Sequence, residues 1–565
     1  MLKKKLQDSR FFMGTHLFIV LLGLAWIALS IKLNDKFEQF NWYYLIGIGV
    51  LLVANTVLWF RTPPTDRKPK LNKLFLILGF AEIILTTGLL IGFFILYFKF
   101  STINLSELAW LMHADITGTN ISTFYGDIIR GVIALILIIV AYFGLFRLAK
   151  KRNKQSRFVL WCFTVFFAGF CIVSGMNYKH LMVGEYLRNI GKYSPFIEEN
   201  YVDAGNVNIT FKEKRNLIYI YLESMEPTFA GIENGGATQE DIIPELTAIA
   251  QENMDFGEGS ALNGAYALNG ATYTMGAMAA MTSGVGVSED FFDNHIRNNV
   301  WEKDEYVTDY LPGVWSLGQV LEENGYKNML MIGSKAGFSG RDVFFTNHGN
   351  YEIFDYDTAV ERGYIPEDYY RWWGFEDAKL YEYARDEVTK LAAADEPFNL
   401  TLLTVDTHFT GGYVCQLCGD KYDEQYSNVY ACASKQLSDF LEWIKQQDFY
   451  ENTTVIIAGD HPTMDTEYIS KMGISDEYER KSYIAVINPA KDCVERPRVY
   501  TTFDMYPTTL ASIGATIEGD RLGLGTNLFS DKPTLIEKYG YQVMSTQLLQ
   551  RSLFYEQNLA GRLQK

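Results

Sequence analysis

The sequence predicts a protein in two parts. The first is an N-terminal domain of five transmembrane helices. The second is an extracytoplasmic α/β domain whose mainly parallel sheet is covered by helices. Three observations predict this. Apolar runs long enough to cross a bilayer crowd into the first third of a 565-residue chain. Basic residues collect in alternate gaps between those runs. Beyond residue 210, apolar strand-like runs alternate with helical patterns. A chain of this length exceeds one ordinary domain. The boundaries read as 1–177 for the membrane part, 178–210 for a linker and 211–565 for the soluble part.

The five runs are residues 12–31, 42–60, 74–98, 131–148 and 158–173. Each approaches the roughly 20 apolar residues that span a bilayer. Buried helices of a soluble protein do not account for so many in so short a stretch. A signal peptide does not fit either, because the first run is long and others follow it. Lys3, Lys4 and Lys5 precede the first run. Five basic residues lie in RTPPTDRKPKLNK after the second, and six in RLAKKRNKQSR after the fourth. Basic loops stay in the cytoplasm, so the odd number of spans places the chain after about residue 177 outside. The reading is a multi-pass protein of the cell membrane with its soluble domain extracytoplasmic. Residues 101–124 fall on the same outer side and read as an interfacial helix.

The net charge of −17 argues against a nucleic-acid partner. It leaves an anionic lipid open, because a bound metal can invert the local field. Of six cysteines, Cys162 and Cys171 fall in the last span. Cys415 and Cys418 form a CxxC, followed by Cys432 and Cys493. In a cytosolic protein that pattern would raise zinc or redox chemistry. Outside the cell a structural disulfide among Cys415, Cys418 and Cys432 is expected. The pairing, with Cys493 also in play, is open at the level of sequence.

In the soluble part, residues 216–223, 328–333, 398–406, 453–460 and 482–488 read as strands. Their near-continuous apolar character suits burial on both faces. Residues 314–325, 378–392 and 430–447 read as helices, the first stopping at a glycine. Strands separated by helices point to a parallel sheet covered on both sides.

Ligand sites in such sheets lie beyond the carboxyl ends of strands. The stretch IIAGDHPTMD places Asp460 and His461 at one such end, where both could bind one metal ion. The bland alternative is an ordinary Asp-His turn. Glu223 leaves the strand LIYIYLE, and a carboxylate there needs a partner or a metal unless it is exposed. In GATYTMGAM, Thr274 opens a helix of small and apolar residues. It is either an N-cap or a nucleophile whose proton a metal masks. Thr272 is the fallback. Asp406 and His408 follow a further strand, and His408 suits a metal ligand, a phosphate contact or a general acid. Glu223, Thr274, Asp460 and His461 make an oxygen-rich, single-histidine set that suits Mn²⁺ or Zn²⁺.

The motifs NLIYIYLESME, GATYTMGAM, GFSGRDVFFTNHG, TVDTHFTGGY and AGDHPTMD, in this order, resemble a known family. It is that of the lipoteichoic acid synthases and phosphoglycerol transferases, membrane-anchored members of the sulfatase-like alkaline phosphatase superfamily. FDMYPTTLASIG and LGLGTNLFS resemble its closing segments. The resemblance implies a sulfatase-like catalytic domain. It implies Glu223, Asp460 and His461 as metal ligands, and Thr274 as a nucleophile that also touches the metal. It implies His408 beside the reacting phosphate and Arg341 binding it. One divalent metal is implied, Mn²⁺ foremost, with Zn²⁺ or Mg²⁺ as alternatives.

TVDTH with its Gly-rich turn and Cys, and WWGFED at 372–377, resemble phosphoglycerol transferase I more than lipoteichoic acid synthase. The latter carries a His and a Trp before its Arg, where this chain has Ile332 and Ser339. Lys335, Trp372 and Trp373 are the candidate replacements for those headgroup contacts. The implied reaction moves glycerol phosphate from phosphatidylglycerol, through a phosphoglyceryl-threonine, to a cell-envelope polymer or glycan. A phosphodiesterase, a phosphatase or a phosphoethanolamine-type transferase would use the same site. A non-catalytic protein that binds an envelope polymer is a third reading. A formylglycine sulfatase is disfavoured, because TMGAM after Tyr273 lacks the Cys or Ser, the Pro and the Arg of that chemistry.

Overall fold

The computed structural model describes residues 69–99, 122–151, 154–184, 192–288, 309–394, 396–491 and 496–561. They fall into two compact units, the first within residues 69–184 and the second within residues 192–561.

In the first unit, α1 (Pro69–Lys99), α2 (Ser122–Lys151) and α3 (Gln155–His180) are long and apolar. They contain candidate spans Leu76–Leu96, Ile128–Lys151 and Trp161–His180, each long enough to cross a bilayer. Helix α2 bares Ile133, Leu137 and Val140, as a lipid-facing surface would. These three helices mark a membrane protein, and they correspond to the third, fourth and fifth expected runs. The runs at 12–31 and 42–60, the N-terminal lysines and most of the expected interfacial helix lie outside the described residues.

The second unit opens with β1 (Ile209–Phe211). Strands β2 (Asn216–Leu222), β3 (Gly264–Ala265), β4 (Lys327–Ile332), β5 (Glu352–Phe354), β6 (Phe398–Leu403), β7 (Thr453–Gly459) and β8 (Ser482–Ile487) form one sheet. Its order is β3-β8-β7-β2-β6-β4-β5. Strand β1 pairs antiparallel with β9 (Ala515–Ile517), and β10 (Arg521–Leu522) pairs with β11 (Gly525–Thr526).

Strands β7, β2, β6, β4 and β5 pair in parallel, but β8 runs antiparallel to β7, and β3 antiparallel to β8. The sheet is therefore mixed, where the apolar runs had suggested a mainly parallel one. A parallel pair needs a crossover from one end of the sheet to the other. The chain after β7 instead turns back at the same end, so β8 returns antiparallel. Strands β3 and β5 span two and three residues, too few to show a period in the sequence.

Alternate residues of a strand point to opposite faces. Leu217, Tyr219 and Tyr221 of β2 join one core, and Ile218, Ile220 and Leu222 the other. The second face is covered by α4 (Pro244–Glu252), α8 (Asp377–Ala392) and α9 (Gln425–Lys445), and the first by α5 (Thr274–Ser283), α6 (Leu317–Glu323), α7 (Arg341–Asn347) and α10 (Met505–Ser512). The result is a three-layer α/β/α domain. Helix α6 begins at a capping box, in which the Ser316 N–H donates to Gln319 Oε1 at 2.9 Å.

The register sets the site. Leu222 lies opposite Gly459, so Glu223 and Asp460 emerge side by side from adjacent strands. A Cβ on Gly459 would lie 1.9 Å from the Met225 carbonyl oxygen. The turn after β2 thus passes too close to β7 for any side chain at this position. Gly459→Ala is expected to cost about 2 kcal/mol or more of stability and to push Asp460 away from Glu223. Denaturant unfolding of the full chain checks this. Unfolding at the wild-type midpoint would show that the two backbones are not in this contact.

Candidate active site

Three of the expected ligands meet. Glu223, Asp460 and His461 are buried, and one donor atom from each lies within 4.8 Å of the others. His461 Nε2 is 3.8 Å from Glu223 Oε1 and 3.4 Å from Asp460 Oδ2. The other ring nitrogen, Nδ1, lies 3.0 Å from the Pro462 carbonyl and donates to it, which turns the Nε2 lone pair toward the carboxylates. Asp460 Oδ1 accepts the backbone N–H groups of Ser224 and His461, each at 2.7 Å. Asp460 Oδ2 is buried with no hydrogen-bond partner among the described residues.

The electrostatics describe a place that wants a cation. Burial, and then the charge of Glu223, push the Asp460 carboxyl up to about 7. Burial also opposes ionisation of Glu223, but His408 and His461 outweigh it and hold that carboxyl below its ordinary value. Burial disfavours charge on His461, yet Asp460 and Glu223 together raise it above its ordinary value. Two carboxylates, one imidazole lone pair and an unpartnered oxygen fit a divalent metal.

Thr274 opens α5, as its small-residue surroundings predict, and its hydroxyl donates to Glu223 Oε2 at 3.2 Å. Arg341 opens α7 directly after Ser339 and Gly340, both in the left-handed region. Its buried guanidinium donates to the Phe338 and Lys335 carbonyls at 3.0 and 3.5 Å and makes no ion pair among the described residues. Burial lowers it to about 10, against the charges of Glu223 and Asp460, so it stays cationic near neutrality. His408 is half-buried, with Nδ1 2.6 Å from the Phe409 carbonyl and its ring 4.6 Å from that of Trp373. Burial lowers its imidazole below the ordinary value, outweighing the Glu223 charge. Trp373 also packs on Phe338 at 5.5 Å, and the indole N–H groups of Trp372 and Trp373 are buried with no partner among the described residues. Lys335 turns outward to an ion pair with Asp357 at 2.8 Å. Ile332 ends β4 inside the core, and Ser339 is buried beside Arg341.

The family described as Sulfatase matches residues 215–510, which run from the start of β2 through most of α10. The chain belongs to the sulfatase family. Within it, phosphoglycerol transferase I of Escherichia fergusonii is 30% identical over 331 residues, 56% of this chain and 39% of that protein. Phosphoglycerol transferase I of Escherichia coli is 29% identical over 331 residues, again 56% and 39%. The chain therefore spans about 39% of the length of the curated relatives it matches. Among solved structures, the lipoteichoic acid synthase LtaP from Listeria monocytogenes aligns with a TM-score of 0.44 and 17% identity, over 60% of this chain and 82% of that one. The phosphoethanolamine transferase EptA from Neisseria meningitidis aligns with a TM-score of 0.47 and 14% identity, over 90% and 96%.

Several residues of this sulfatase-family site escaped sequence reading. Ser224 is left-handed, which lets its N–H reach Asp460 while its hydroxyl donates to Glu223 Oε1 at 2.7 Å. The Thr407 hydroxyl donates to the Glu223 carbonyl at 2.6 Å, tying the His408 loop to the Glu223, Asp460 and His461 cluster. Beneath the turn after Asp460, Glu226 accepts from Thr463 N–H at 3.0 Å and from Arg480 Nε at 2.8 Å. The charge of Glu226 in LESME was a usable signal; Arg480, in no motif, offered none.

Asp377 and Asp406 brace the His408 loop from below. Asp377 accepts the N–H groups of Val405 and Asp406 at 2.7 and 3.0 Å, and Asp406 Oδ1 accepts the Asp377 N–H at 3.3 Å. Burial raises Asp377 to about 7 and, with the Asp377 charge, pushes Asp406 well above its ordinary value. A carboxyl raised in the native state binds more protons there than in the unfolded chain, so stability falls as pH rises through the window up to about 7. Asp406→Asn keeps the acceptor for Asp377 N–H and removes one ionisation. Wild type is expected to lose about 1 kcal/mol or more relative to this variant between roughly pH 5 and 8, read by denaturant unfolding at each pH. Parallel pH profiles would sink the assignment of the raised pair.

Proposed function

We propose that this protein is a metal-dependent phosphoglycerol transferase. It takes glycerol phosphate from phosphatidylglycerol and passes it to a hydroxyl of a cell-envelope polymer or glycan. The observation that carries this reading is the hydroxyl of Thr274, at the start of a buried helix, 3.2 Å from Glu223 Oε2 within the ligand cluster. The name phosphoglycerol transferase I, borne by relatives at about 30% identity, supports it.

Glu223, Asp460 and His461 hold the divalent cation, with Mn²⁺ the expected ion. When bound it supplies positive charge that favours the Thr274 alkoxide and offsets charge on the phosphate. Thr274 Oγ1 attacks the lipid phosphorus and gives its proton to Glu223 Oε2. Arg341, charged and without a carboxylate partner among the described residues, binds the non-bridging oxygens. The bond from phosphorus to the diacylglycerol oxygen breaks, and His408 supplies the proton that oxygen needs. Glycerol phosphate remains esterified to Thr274. The acceptor hydroxyl then attacks the same phosphorus and returns a proton to His408, while Thr274 regains its own from Glu223. Trp373, its ring tilted against that of His408, forms the wall against which the glycerol headgroup lies.

Thr274→Ala is expected to lower turnover of phosphatidylglycerol with Mn²⁺ more than about 10³-fold and to leave no phosphoglyceryl adduct in mass spectra. Thr272→Ala should keep both, and Thr274→Ser should keep part, since it retains the hydroxyl but not the methyl that restricts its rotamer. An adduct mapped to Thr272, or lipid turnover by Thr274→Ala, overturns the nucleophile. Lipid cleavage without any adduct turns the reading toward direct attack by water.

A lipid donor is compatible with the topology that the apolar runs and basic loops support: five spans, with the sulfatase-family domain outside the cytoplasm. A reporter fused after Arg157 is expected on the cytoplasmic side and one after Val202 on the other. Both on one side would refute this arrangement.

A further inference from the structure

Cys415, Cys418 and Cys432 lie together beyond the proposed catalytic loop. The structure leaves all three as free thiols, where the extracellular setting had suggested a disulfide. Their geometry has no preferred pair. Cys415 Sγ is 3.6 Å from Cys418 Sγ and 3.7 Å from Cys432 Sγ, and all three sulfurs lie within 4.8 Å of one another. A disulfide would bring two sulfurs to about 2.0 Å and strand the third. Thiolates at about 2.3 Å from a tetrahedral zinc ion stand about 3.8 Å apart, close to the two spacings here.

Donors converge on Cys415, where they favour a thiolate, and one also reaches Cys432. The Leu417 N–H donates to Cys415 Sγ at 3.4 Å, and the Cys418 N–H folds back on the Cys415 carbonyl at 3.3 Å. This turn aims the Leu417 N–H at the Cys415 sulfur. From α9, Gln436 Nε2 donates to Cys432 Sγ at 3.2 Å and reaches Cys415 Sγ at 3.7 Å. Cys432 and Gln436 stand four residues apart, one turn along the same helix face. Donors pointed at sulfur stabilise its anion. Cys415 and Cys432 are buried and Cys418 is partly exposed, so the cluster opens to solvent on one side.

We propose that Cys415, Cys418 and Cys432 form a thiolate site for one zinc-class divalent ion that clips the His408 loop to α9. Water on the Cys418 side completes the coordination. Binding releases up to three thiol protons and changes no oxidation state. Soft thiolate donors and the absence of carboxylates from the trio separate its metal preference from that of the oxygen-rich Glu223 centre. The clip shares a loop with that centre: Tyr413 N–H donates to the Asp406 carbonyl at 2.7 Å, and Gln425 of α9 donates to the Gly411 carbonyl at 3.0 Å. The site would stand whatever ester the enzyme acts on.

The test uses the full chain, purified in detergent without added reductant, with Asp460→Ala clearing the other centre. Plasma mass spectrometry is expected to find one zinc per chain in Asp460→Ala, and at least about tenfold less once Cys432→Ser is added. Against the chance that Cys432→Ser misfolds, a mercurial titration of Asp460→Ala itself should release the zinc in step with three thiols. Cobalt exchanged into that protein should show sulfur-to-metal charge-transfer absorption. The proposal is overturned if alkylation without reduction finds two of the three joined as a disulfide. Three freely alkylated thiols with no zinc overturn it equally, as does zinc that persists in the double variant.

Discussion

Two carboxylates buried side by side are the constraint on which the rest of this domain depends. Glu223 and Asp460 are 3% and 0% exposed, at the ends of neighbouring parallel strands. Burying even one unpaired carboxylate costs several kcal/mol, and two together repel. Backbone N–H groups and the Ser224 hydroxyl take up part of that demand. The part left over, including the unpartnered Asp460 oxygen, is the physical case for a cation. The same demand explains the Gly459 contact, since only a side-chain-free residue lets the turn after β2 close over β7.

Around this pair the chain invests in rigidity. The Glu226–Arg480 ion pair lies under the turn that carries His461 and is almost dry on the carboxylate side. The Asp377–Asp406 pair holds the loop that carries His408, and Thr407 ties that loop to Glu223. Sites built on strand ends and backed by a second layer of hydrogen bonds keep their geometry better than sites on unsupported loops. A thiolate clip between the same loop and α9 belongs to that pattern.

Membership of the sulfatase family does not choose a reaction, because one fold hosts many chemistries. The choice lies in local residues. At the start of α5 stands Thr274, followed by Met275 and Gly276, without the Pro and Arg that a formylglycine sulfatase needs. A threonine hydroxyl beside the ligand cluster suits an ester intermediate. A buried arginine bonded, among the described residues, only to carbonyls suits an incoming anion.

Much of this was legible along the chain. The apolar runs at 216–223, 328–333, 398–406, 453–460 and 482–488 match β2, β4, β6, β7 and β8 to within a few residues, because strands buried on both faces are written as continuous apolar sequence. The clustering residues Glu223, Asp460 and His461 were legible because charge directly after such a run is conspicuous, and Thr274 because its helix begins there. Direction and pairing were not. That β8 runs antiparallel depends on where the chain turns after β7, which composition does not encode. The outward ion pair of Lys335 depends on Asp357, 22 residues away. Ser224, Asp377 and Arg480 act only through partners brought in from distant segments, and the three sulfurs acquire a common centre only when α9 docks on the loop. Local sequence determines burial and periodicity. Which buried groups face one another is decided by strand order and register, and these belong to the chain as a whole.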